Sequence, residues 1–261
     1  MARISRLSTH HKPSQEKMIM NCKHMNRKQQ GFTLIEIAIV LVIIGLLLGG
    51  VLKGQELITS ARVRNLISQQ DGVKAAFFGF QDRFRAFPGD YTTATTNIVG
   101  ATRNGNGNGR VQASAAACSS PCTNQENLVV WEHLSRSGFI NGTYTWANAQ
   151  SDTTSLKNPY GIYTDLAFDA TYGQASATNP DRHSIKTGGQ IPVEIITEMD
   201  RKIDDGLPYT GGFQFSAYTG NAAAAPVDTG ANTCVTLLSP ATSSTWASTS
   251  GQTNCGGASL L

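Results

Sequence analysis

From Phe32 to Leu52 the chain reads FTLIEIAIVLVIIGLLLGGVL, an apolar run broken by a single charge, Glu36. A helix of that length spans roughly 30 Å, the thickness of a bilayer core. A soluble helix as long would show a polar face, and this one shows none. Polar positions then enter at helical intervals. Leu66, Val73, Phe77, Phe80, Phe84 and Phe87 fall on one stripe, while Arg62, Arg64, Lys74, Asp82, Arg83 and Arg85 mostly take other faces. The pattern predicts one helix running through the apolar segment to about Phe84–Phe87, with the phenylalanine stripe packing on a sheet. Pro88-Gly89-Asp90 is its stop signal.

Beyond Pro88 the pattern is weaker. Residues 90–127 read as a long surface loop containing the turn-forming run Asn104-Gly105-Asn106-Gly107-Asn108-Gly109. Gln125–Ser137 reads as a short helix with Leu128, Trp131, Leu134 and Ser135 on one side, closed by Gly138. Alternation predicts strands near Phe139–Trp146, Gly161–Phe168, Gln190–Ile196 and Gly212–Tyr218. Glu194–Gly206 reads as a strand passing into a short helix or turn, with Glu198, Asp200, Asp204 and Asp205 clustered along it. The 26 glycines also suit strands and long loops better than a helical bundle, which makes the fold class α+β.

Charge changes the picture at the front of the chain. The formal net charge of +3 conceals an asymmetry. Arg3, Arg6, Lys12, Lys17, Lys23, Arg27 and Lys28 stand against one acid, Glu16, before the apolar run, and the remainder is mildly acidic. Bases before an apolar span and a long body after it place the front in the cytoplasm and the body outside. No basic cluster follows residue 110, so no specific nucleic-acid partner is expected. The run is too long for a secretory signal peptide and lacks a small-residue cleavage site at its end. A simple anchor explains the length but not Glu36, because a carboxylate inside a membrane helix is costly and marks function by default.

Arg27-Lys28-Gln29-Gln30-Gly31-Phe32-Thr33-Leu34-Ile35-Glu36 resembles the cleavage and methylation motif of type IV prepilins and type II secretion pseudopilins. The strong resemblance covers residues 25 to about 55. It implies that a membrane prepilin peptidase cuts between Gly31 and Phe32 and that Phe32 becomes an N-methylated terminus. It implies that Glu36 pairs with the terminal amine of a neighbouring subunit, an ion pair in low dielectric that would select one axial register. It implies a pilin-like fold in which a long helix, half in the membrane and half on a small antiparallel sheet, is followed by long loops. The expected organisation is a leader at 1–31, a membrane or filament-core helix at 32–54, an amphipathic half at 55–87 and a periplasmic region at 88–261. The implied location is the inner membrane, single-pass, and then a pilus or pseudopilus. The implied partners are the peptidase, other pilin or pseudopilin subunits, the inner-membrane assembly platform and the lipid bilayer. The leader is long for the family. Initiation at Met25 would give an ordinary one, which makes residues 1–24 a candidate over-extended start. Where many members carry proline, this chain has Gly49, Gly50 and Gly54, and three glycines weaken a helix enough to suggest local melting on assembly.

Cys118, Cys122, Cys234 and Cys255 all follow the apolar run, in the oxidising compartment on this orientation. Three connectivities are open, and proximity favours Cys118–Cys122 with Cys234–Cys255. A metal site at Cys118 and Cys122 lacks a second ligand pair. The Asn-Gly run resembles a calcium loop but lacks its carboxylates, and Asp200, Asp204 and Asp205 are candidate ligands of a cation where a solvated helix end also explains the acids, so no cofactor is expected. His133 and His183 sit in no nucleophile or metal motif and no phosphate loop occurs, so the expectation is a structural subunit and not an enzyme. Its length favours a minor subunit. The competing reading is a membrane-anchored periplasmic binding module or enzyme that borrows a pilin-like anchor.

Overall fold

A 51-residue helix, α1 (Leu34–Phe84), dominates the first third of the chain. The computed structural model describes residues 33–113, 125–175, 177–230 and 233–261, and the chain divides into two units at Gly50. In the first unit, every described residue of α1 is exposed, as a segment without a polar face must be when no membrane or neighbour covers it. The helix is unbroken through Gly49, Gly50 and Gly54 in this single chain.

In the second unit, α1 buries Val63, Leu66, Gln70, Val73, Ala76, Phe77 and Phe80, the helical stripe of the sequence with Val63 added at its start and Gln70 and Ala76 within it. Val63 and Leu66 join Ile191, Ile196, Met199, Phe213, Phe215 and Trp246 in one apolar cluster. Val73, Phe77 and Phe80 join Trp131, Leu134, Leu166 and Ile185 in a second. Phe84 and Phe87 are only partly buried at the margin of the latter.

The remaining elements are α2 (Ala94–Asn97), α3 (Glu126–Arg136), β1 (Asp165–Asp169), β2 (Arg182–Lys186), α4 (Val193–Ile203), β3 (Phe213–Phe215), β4 (Val235–Thr236), β5 (Thr245–Trp246) and β6 (Gly257–Leu260). The main sheet has the order β1-β2-β6-β3, with every neighbouring pair antiparallel. The last strand in the chain therefore lies between two earlier ones. Strands β4 and β5 pair separately. A long apolar helix followed by a small antiparallel sheet and loops is the α+β, pilin-like arrangement.

Several local expectations are corrected. Residues 139–146 form no strand. They turn back on α3 through Phe139 N–H to Leu134 O and Tyr144 N–H to Ser135 Oγ, and no sheet edge is offered to them. The strand expected at 190–196 is replaced by α4, because Pro192, with φ −58°, occupies its N-cap and launches the helix; only a single bridge, Ile191 to Cys255, remains extended. The strands expected at 161–168 and 212–218 contract to β1 and β3, with β1 running on to Asp169. Helix α3 is not one-sided: Glu126 through Leu134 are all buried. Its charged members survive there because loops come to them. Lys186, also buried, lies opposite Asp165 in the β1–β2 register and bonds to Asp165 (3.3 Å) and Asp169.

Candidate functional site

The residues that carry chemistry in the resemblance lie at the head of α1. Gly31 and Phe32 fall outside the described residues, but Thr33 and Glu36 do not. Thr33 immediately precedes the helix and Glu36 is its third residue. The Glu36 N–H donates to Thr33 Oγ1 at 3.3 Å, and Glu36 Oε2 accepts the Thr33 N–H at 2.8 Å and the Thr33 hydroxyl at 2.8 Å. This is a reciprocal capping box, which satisfies two amides that the first helical turn leaves without partners. The spacing Thr33-x-x-Glu36 is itself a capping signal, legible in the sequence beside the membrane-helix pattern. The carboxylate is thus already engaged within its own chain. Any pairing with an amine outside has to compete with Thr33 or share the second oxygen.

The apolar stretch that follows is the one described helix long and apolar enough to cross a membrane. The prokaryotic N-terminal methylation motif matches residues 26–52. The chain carries a prepilin-type cleavage and methylation signature. This signature implies processing by prepilin peptidase and assembly with other pilins, with the apolar helix as anchor. No curated protein and no solved structure matches the chain.

The other candidates of this prepilin-type chain separate into three groups. Cys118 and Cys122 lie outside the described residues. Cys234 and Cys255 are joined in a disulfide with Cα atoms 5.6 Å apart. Asp200, Asp204 and Asp205 come together, with carboxylate oxygens within 4.8 Å of one another. Burial pushes the Asp200 carboxyl up to about 7, and the charges of Asp205 and Asp204 add to the effect.

A fourth group was not foreseen as a unit. The Asn-Gly run folds with its amides inward: Gly107 and Asn108 donate to Asp90 Oδ1 at 2.6 and 3.0 Å, and Gly109 donates to Oδ2 at 2.8 Å. Glu126 takes the amides of Asn106 (2.9 Å) and Gln112 (3.0 Å), and Glu132 takes that of Thr102 (3.0 Å). His133 Nδ1 accepts the Gly89 N–H at 2.9 Å, so Nε2 carries the proton toward Arg103 O, also at 2.9 Å. Burial pulls this imidazole down to about 4 and pushes Glu126 up to about 7. Glycine is required at 105, where a Cβ would lie 2.2 Å from the Asp90 carbonyl carbon. The group pins the loop to α3 and to the turn after α1. His133 is fully occupied in that work, which accounts for it without catalysis.

Proposed function

We propose that the chain is a structural subunit of a type IV pilus or a type II secretion pseudopilus, present as a minor component and held in the inner membrane before assembly. The observation that carries this reading is the signature at residues 26–52, set on a helix whose apolar part is exposed throughout and holds Glu36 as its single charge. Such a surface needs lipid in the anchored state and neighbouring helices in the filament. Prepilin peptidase, other pilins and the inner-membrane platform are its partners, and the body after α1 lies on the periplasmic side. The Cys234–Cys255 disulfide supports an oxidising location for that body.

The test is intact mass and N-terminal sequencing of the protein recovered from membranes, together with the filament yield of Glu36→Ala. The expected product begins at methylated Phe32, and Glu36→Ala is processed normally while its recovery in sheared filaments falls about tenfold or more, since an amine buried without its counter-charge is destabilising. A chain retaining residues 25–31, or one cut near Gly54, would overturn the reading. Normal assembly of Glu36→Ala would remove the role given to Glu36.

A further inference from the structure

The last turn of α4 carries Asp200 inward, and Asp204 and Asp205 follow directly before the turn that leads to β3. Asp200 is fully buried. Its Oδ2 accepts the Trp246 indole N–H at 2.6 Å. The Gly206 amide acts on the same carboxyl, yet Oδ1, also buried, accepts no hydrogen bond of normal geometry. Backbone and hydroxyl donors fix the other two carboxylates: Asp204 Oδ2 takes the Phe213 amide at 2.7 Å, Asp205 Oδ1 takes the Leu207 amide at 2.9 Å, and Asp205 Oδ2 takes the Thr210 hydroxyl. Among the described residues none of the three acids has an ion-pair partner; Lys202, on the same helix, pairs with Glu198 instead. Three carboxylates are thus held close together by the fold, one with a buried oxygen that accepts no regular hydrogen bond, and among the described residues no cation answers them.

We propose that Asp200, Asp204 and Asp205 bind a calcium ion, with the buried Asp200 Oδ1 as the inner ligand. The donor set is oxygen only, which favours a hard cation over zinc or copper. Calcium takes oxygens at about 2.3–2.6 Å, so two ligands on opposite sides of it stand roughly 5 Å apart, and carboxylate oxygens within 4.8 Å of one another are close enough to share one ion. Magnesium demands near-octahedral geometry at about 2.0–2.1 Å and gives up its water reluctantly, so a cage of protein carboxylates suits it less. The ion would tie the end of α4 to the turn before β3 and, through Trp246, to the β4–β5 pair. This site is independent of the filament reading and would hold for an anchored protein of any role.

The experiment uses the full chain in detergent micelles, stripped with EDTA and titrated with calcium chloride, with magnesium chloride as comparison. Thermal melting and tryptophan emission are followed, because Trp246 touches the site. Saturating calcium is expected to raise Tm by about 5 °C and to shift the emission. Both responses should vanish in Asp204→Asn/Asp205→Asn, whose amide oxygens can still take the Phe213 and Leu207 N–H groups, so that its metal-free Tm should stay within a few degrees of the parent. That metal-free melt also shows that the variant is folded. The proposal is overturned by any of three results: no response up to about 10 mM calcium, a range beyond the weakest extracellular modules; the same response in the double variant; or an equal response to magnesium.

Discussion

Residue-scale behaviour is clearest beneath the Asn-Gly loop, where Glu126 and His133 are both buried and pull stability in opposite directions with pH. Glu126, raised by burial from 4.5 to about 7 against its two amide bonds and further raised by Asp90, favours the fold when neutral. Its contribution is complete below 4.5 and is lost as pH rises through about 7. His133, lowered by burial from 6.5 to about 4, favours the fold when neutral as well, so its contribution is complete above 6.5 and is lost as pH falls through about 4. Glu126→Gln cannot accept both amides and should melt a few degrees lower at pH 5. Its Tm should then fall less steeply than that of the parent between pH 6.5 and 8, the remaining slope belonging to Asp200, which burial also raises to about 7. Equal slopes in the two proteins, followed by circular dichroism, would remove Glu126 as a cause. At this scale the sequence spoke unevenly. Glu36 stood out because a charge in an apolar run has no bland explanation, whereas Asp90, Glu126 and His133 are ordinary residues until a loop 14 to 30 positions away in the chain closes on them.

At the scale of elements, helices were easier to read than strands, for a physical reason. A helix satisfies its backbone within a few residues, so the stripe from Leu66 to Phe80 and the Pro88-Gly89 stop were enough to place α1 and its end. A strand needs a partner elsewhere in the chain. Residues 139–146 alternate well enough but meet no edge, while Gly257–Leu260 carries little alternation and becomes a strand because two edges are waiting for it. Pro192 shows the same lesson at a boundary: apolar residues on both sides suggested extension, and the proline launched a helix. The stripe also yields a prediction. Phe80 is fully buried, with its ring against Phe84 (4.5 Å), Phe139 and His133 (6.1 Å each). Phe80→Ala should destabilise the second unit by about 3–5 kcal/mol, read as a loss of thermal and protease resistance, while cleavage between Gly31 and Phe32 proceeds at the parent rate. A cleavage defect would mean that the processing segment senses the folded body.

For the whole molecule the decisive feature is the strand order β1-β2-β6-β3. Strand β6 bonds to β2 on one side and to β3 on the other, and Cys255, two residues before it, is tethered to Cys234. A stop codon after Gly256 would remove four residues of strand and with them the connection between β2 and β3. The expected result is a chain that is made and inserted but has no protease-resistant core, whereas a chain stopped at Leu260 keeps the whole strand and should fold. A resistant core in the shorter product would show that the two edges find each other without β6. The same topology sets a clock on biogenesis. While the chain is being made, β2 and β3 are finished before β6 and must wait with unpaired edges, the condition in which strands recruit wrong partners. Only the last stretch to emerge can close them. An interrupted chain therefore betrays itself: without β6 its two open edges stay exposed, and the body cannot pass for a finished one.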